Sequence, residues 1–200
     1  MLCGDSMLRF SRAVSYALSA PVYATILGWY LLWVAGRLTP LNALAVLAFL
    51  GVGPTISVAA GVGLGVTDVF VSDRRKRFWF FMGAVASYSV GSVTFTLLHN
   101  GLLASFTLAY LIVTAVMAAA TLRIKASVHM AGIVGPTTFM VLALGLMYAA
   151  LYSLAAPVAL ARYCLRAHSR AELALGCVIA VGATTLSWFW SAFIGLVTPK

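Results

Sequence analysis

The chain has 200 residues, of which 63% are hydrophobic and only 8% charged, with a mean hydropathy of +1.04. That composition excludes a soluble globular domain and indicates one integral membrane unit over residues 1–200, an all-α polytopic bundle of six to seven helices. A net charge of +9 would suggest nucleic acid in a soluble protein, but here the cations stand in short loops beside apolar runs, facing lipid phosphates or orienting the chain, so nucleic acid is not an expected partner.

Residues 1–15 form a basic arm, with Arg9 and Arg12, that is expected on the membrane surface. The apolar run 16–36 is too long for a signal peptide and is followed by further spans, so it is expected to be the first transmembrane helix, with Trp29, Tyr30 and Trp33 in an aromatic belt at its far end. Arg37 and Pro40 mark a turn, and a second span runs over 41–66. Its six glycine and proline positions, Gly51 to Gly65, read as close helix packing, since no strand precedes them to make a nucleotide-binding loop. Asp73-Arg74-Arg75-Lys76-Arg77 then opens a third span, 78–98, which turns at His99-Asn100-Gly101 into a fourth, 102–122. Arg123, Lys125, Ser127 and His129 break the apolar pattern. Between His129 and Arg162 there is room for two short helices, 130–144 and 148–161, turning near Gly145, before a last span over 173–196.

If 130–161 is a hairpin, three polar groups meet at one membrane face: 73–77, 125–129 and 162–172. The last holds the only glutamate of the chain, Glu172, four residues after His168. That step places both on one helical face, where a carboxylate can hold an imidazole N–H and fix its tautomer. Ionisable residues are costly in so apolar a chain, which makes the cluster a functional candidate. Arginines bind phosphate in bidentate fashion, and donors at Ser127 and Val128 can complete an anion cradle. His168 could then attack phosphorus while His129 gives a proton to the leaving oxygen. With Asp5, Asp68, Asp73 and Glu172 as the only acids, a two-metal site is not expected, and no cofactor is. Cys3, Cys164 and Cys177 have no Cys-x-x-Cys spacing and are odd in number, so isolated thiols are expected. His99 reads as an interfacial residue.

These residues resemble the type 2 phosphatidic acid phosphatase superfamily of lipid phosphate phosphatases, whose signatures are Lys-x6-Arg-Pro, Pro-Ser-Gly-His and Ser-Arg-x5-His-x3-Asp. The third is matched in spacing by Ala161-Arg162, His168 and Glu172, and the second by Ala126-Ser127-Val128-His129. The first is represented by Arg74, Lys76 and Arg77 in the right place, without its lysine and proline. The likeness covers residues 68–188. It implies a metal-independent helical membrane enzyme that hydrolyses a lipid phosphate through a phosphohistidine. By position it implies His168 as nucleophile, Glu172 as its orienting carboxylate and His129 as acid. Arg162, Ser127 and one or more of Arg74, Lys76 and Arg77 would bind phosphate, with Lys125 a further candidate.

An isoprenoid phosphate or diphosphate is the preferred substrate, because no soluble portion is present for a large polar headgroup; a glycerolipid phosphate is the alternative. A phosphate-lipid binding protein without catalysis and a small transporter or flippase subunit are the other classes. A homo-oligomer is left open. Arg9, Arg12, Arg75, Arg123, Arg166 and Arg170 on the site face, against Arg37 and Lys200 opposite, place the site at the cytoplasmic side of the cell membrane by the positive-inside rule.

Overall fold

Helix ends in this chain are written in side chains that reach a backbone N–H. Thr39 accepts from Asn42 N–H (3.2 Å), Asn100 from Leu103 N–H (3.2 Å), Ser127 from Met130 N–H (3.4 Å) and Ser169 from Glu172 N–H (3.3 Å). Each cap satisfies one of the donors that a helix start leaves open, which is worth about 1 kcal/mol. A computed structural model describes residues 3–69, 71 and 74–197, excepting the side chains of Arg74 and Arg75. All of the regular elements described are helical.

Helix α1 (Asp5–Ala17) and α2 (Ala20–Val34) meet at a 47° bend. Next come α3 (Pro40–Val46), a π-helical segment (Leu47–Val52) and α4 (Gly53–Gly63), which form one run, Pro40–Gly63. The widened turn precedes Pro54, which brings no N–H to the ladder. Helices α5 (Arg74–Leu97) and α6 (Gly101–Thr121) form a long antiparallel pair. Then follow α7 (Val128–Leu144), a 3-10 segment (Leu146–Leu154), α8 (Ala155–Cys164) and α9 (Arg170–Phe193). Four of these elements are long and apolar enough to cross a membrane, or five if the bent pair α1 and α2 is one span.

The chain reverses at Gly145, whose φ of 114° is open to glycine and strained for any other residue. Thr138 and Tyr152, seven residues to either side, meet through their hydroxyls at 2.8 Å. The segment 128–164 is therefore a hairpin, the condition on which the convergence of the polar groups rested. At the opposite face, Gly101 lies so close to the Leu196 carbonyl that a side chain there would collide with it, which fixes the end of α9 beside the α5–α6 turn.

The centre is an aromatic chain through four helices. Tyr88 of α5 lies 5.4 Å from Tyr110 of α6, Tyr110 5.2 Å from Phe106, Phe106 5.0 Å from Phe139 of α7, and Phe139 5.4 Å from Trp188 of α9. Three of these four contacts are edge-on, the geometry that ring quadrupoles favour, and the Tyr88–Tyr110 pair is tilted.

One expectation gains detail and one needs correction. The N-terminal arm is a formed helix, α1, which buries Ser11 and Ser15 and exposes Arg9, Phe10 and Arg12. Cys3 and Cys164 are joined as a disulfide, leaving Cys177 as the free thiol among the described residues. Neither cysteine sits in a recognisable spacing, because their proximity comes from α1 packing across the end of α8.

Candidate functional site

The site is assembled at the first turn of α9. Ser169 and Glu172 make a reciprocal capping box: the Ser169 hydroxyl accepts from Glu172 N–H, and Glu172 Oε2 accepts from Ser169 N–H at 3.1 Å. The same Oε2 lies 3.1 Å from Nδ1 of His168. A carboxylate fixed by the helix start therefore holds the imidazole in the tautomer with its proton on Nδ1, leaving the lone pair on Nε2. Lys125 stands 3.9 Å from the same oxygen, with about a third of its side chain exposed. At that distance and exposure it is worth little, and His168 is the principal partner of Glu172.

The first turn of α7 is docked on α9. Ser127 N–H donates to the Glu172 carbonyl at 3.0 Å, and Gly176 packs where a Cβ would come 2.5 Å from the Ser127 carbonyl. His129 follows one residue into α7, and its imidazole is hydrogen-bonded to the backbone of Ser15, at the end of α1. The third wall comes from two buried guanidiniums. Arg77, in the first turn of α5, donates from Nε to the Val71 carbonyl at 2.7 Å, and Arg162, in the last turn of α8, reaches the Ser15 hydroxyl from an Nη at 3.4 Å. Val71 adopts φ 45°, a conformation that β-branched residues rarely take, and its carbonyl receives Arg77.

Arg77, His129, Arg162 and His168 line one cavity of about 720 Å³. Its remaining walls are mostly apolar and include Val58, Phe80, Tyr88, Tyr110 and Phe139. The arrangement is a cationic, imidazole-bearing head on a hydrocarbon-lined body. Burial is the main cause that lowers the pKa of His168 to about 4, helped by the positive charges of Arg77, Arg162 and Lys125 and opposed by Glu172. His168 is thus neutral near pH 7, the form that can attack an electrophile. The pKa of His129 moves the same way, through burial first and then Arg162 and His168. A phosphate between the arginines would reverse much of that cationic field and favour a proton on His129.

The sequence-derived candidates divide accordingly. Arg77, Val128, His129, Arg162 and His168 border the cavity, with Glu172 behind His168. Ser127 is fully buried, and its hydroxyl caps α7 while its N–H holds Glu172, so its position is structural in this state. Lys76 is exposed and donates to the Val66 carbonyl at 2.7 Å, away from the cavity walls. The side chain of Arg74 and all of Asp73 lie outside the described residues. Among the described residues no three His, Cys, Asp or Glu side chains gather as a metal site. Ser15 was missed by sequence reasoning. Its four-residue spacing from Ser11 marks a small polar stripe on α1, but nothing local points to Arg162 or His129. No family model, curated protein or solved structure matches the chain.

Proposed function

We propose that the chain is a membrane lipid phosphatase, similar to the type 2 phosphatidic acid phosphatases, that hydrolyses an isoprenoid phosphate or diphosphate through a phosphohistidine. The observation that carries this reading is the gathering of Arg77, Arg162, His129 and His168 at one end of an otherwise apolar cavity, with Glu172 holding His168 from behind. A phosphate would bind between the two guanidiniums, and the hydrocarbon chain would fill the apolar body. His168 Nε2 attacks phosphorus, the bond to the ester oxygen breaks, and that oxygen takes a proton from His129. Water then attacks the phosphohistidine, giving up a proton to His129 and releasing inorganic phosphate, which restores both imidazoles. The arginines carry the charge that develops on the phosphoryl oxygens.

The test is phosphate release in detergent with EDTA present, from a panel of prenyl and glycerolipid phosphates, comparing the wild type with His168→Ala. Release by the wild type and loss of it, by about a thousandfold or more, in the variant is the expected outcome. A panel without release from folded wild type would sink the catalytic reading in favour of a phosphate-lipid binding protein. That second reading is favoured by one observation, the commitment of both Ser127 polar groups to structure. Preferential release from phosphatidic acid or a phosphatidylglycerophosphate would replace the isoprenoid by a glycerolipid.

The excess of arginine on the site face supports a cytoplasmic active site. The Cys3–Cys164 bond on the same face weighs the other way, since disulfides persist in oxidising compartments. A reporter fused to the C-terminus decides: with an odd number of crossings, a cytoplasmic C-terminus puts the site outside.

A further inference from the structure

The N-terminal helix α1 reaches two of the four groups at the cavity head. Ser15 is buried, its hydroxyl lies 3.4 Å from an Nη of Arg162, and its backbone is hydrogen-bonded to the imidazole of His129. The way α1 ends makes this possible. The N–H of Leu18 returns to the Val14 carbonyl and that of Ser19 to the Tyr16 carbonyl, so the helix closes around the Ser15 carbonyl without taking it. The backbone contact of Ser15 raises the proton affinity of the His129 imidazole, as it does when a carbonyl is the acceptor, and such an acceptor selects which imidazole nitrogen carries the proton. Ser15, Tyr16 and Ser19 also border the cavity itself.

Two further contacts hold α1 in place. Its buried small face, Ser11 and Ser15, lies one turn apart on the side that packs against α8, and its outer face carries Arg9, Phe10 and Arg12 toward the surface. At its start Cys3 is bonded to Cys164, two residues beyond Arg162. Cys3 and Ser15 are twelve residues apart, about 18 Å along a helix, yet both meet the last turn of α8, so α1 lies across that end as a strap.

We propose that Ser15 is a positioning residue of the site: α1, clamped by the Cys3–Cys164 bond, holds His129 through the Ser15 carbonyl and Arg162 through its hydroxyl. The proposal rests on the phosphatase reading only for its kinetic consequences; the positioning itself is a statement about His129 and Arg162. The two functions of Ser15 separate under substitution. Ser15→Ala removes the hydroxyl and keeps the carbonyl, so KM for the lipid phosphate rises about 3- to 10-fold while kcat is nearly retained. Ser15→Thr, which keeps a hydroxyl, restores most of that KM. Releasing the clamp acts on His129 instead. A phosphine or dithiol reductant supplies two electrons, two protons complete the two thiols, and α1 is freed from α8.

The experiment uses full-length protein in detergent, oxidised and then reduced, with Cys3→Ser and Cys177→Ser as controls. Steady-state kinetics are read beside the imidazole ¹⁵N signals of His129, assigned by loss in His129→Gln. Expected are one His129 tautomer in the oxidised protein and a mixture after reduction. A several-fold fall in kcat should accompany the mixture, Cys3→Ser should behave as already reduced and be indifferent to reductant, and Cys177→Ser should respond as wild type does. An unchanged tautomer after reduction together with an unchanged KM in Ser15→Ala overturns the proposal. A wild type that releases no phosphate defeats the phosphatase reading alone, because the tautomer measurement still decides the role of Ser15.

Discussion

Glu172 makes one oxygen serve two ends: it closes the capping box of α9 and holds Nδ1 of His168. Replacing it by glutamine keeps the shape and removes the charge that favours imidazolium. In Glu172→Gln, kcat should fall by about 100-fold or more, and the acid limb of the pH–rate profile should move to lower pH, since the one influence raising the His168 pKa is gone. In the wild type that limb is expected near pH 4 rather than 6.5. The linkage has a definite sign: the unfolded chain binds the proton from about pH 6.5 downward and the folded one from about 4, so stability falls as pH drops through that window and is fully present above it. Thermal unfolding followed from pH 7 to 4 checks it. The His168 and Glu172 pair was legible because both members lie on one helix start, four residues apart. Arg162 was legible only by its spacing, and Ser15, in contact with it from 147 residues away, not at all.

At the scale of elements, the site depends on how closely α9 approaches the start of α7. Gly176 allows that approach, and Gly176→Val would drive a side chain into the Ser127 carbonyl. The cost should be about 1–3 kcal/mol, read as a lower unfolding temperature in detergent, with phosphate release reduced even in the surviving folded protein. Glycines in the second span were expected to serve packing, and Gly51, Gly53 and Gly61 do lie against Thr25, Ser87 and Phe80, whereas Gly63 and Gly65 meet no neighbour. The element pattern was legible because apolar runs and turn residues alternate at membrane length, and because Asn100, Gly145 and Ser169 punctuate them. The unwinding of Leu47–Val52 into a π turn, the 3-10 form of Leu146–Leu154 and the helicity of the basic arm were not legible. The first accompanies the missing N–H of Pro54, while the form of α1 goes with what it packs against. For α1 that is the end of α8, reached only after the hairpin has folded back.

Over the whole molecule the polar head and the apolar body of the cavity share helices, Arg77 and Tyr88 lying on α5 and His129 and Phe139 on α7, but their residues stand turns apart, so the two ends can be altered separately. Ala109 of α6 borders the body, away from the cationic head. Ala109→Phe should sharply reduce turnover of long-chain lipid phosphates and leave a short, water-soluble phosphate ester close to its wild-type rate; equal losses on both would show that the chain does not lie there. The covalent join between Cys3 and Cys164 bears on how such a molecule is made. Its partners are 161 residues apart, so at roughly 5–20 residues per second α1 leaves the ribosome on the order of 10–30 s before the segment it must cross exists. During synthesis α1 has only the lipid surface to rest on, a task its exposed Arg9, Phe10 and Arg12 suit, and the cationic head of the cavity is among the last parts of the nascent chain to close.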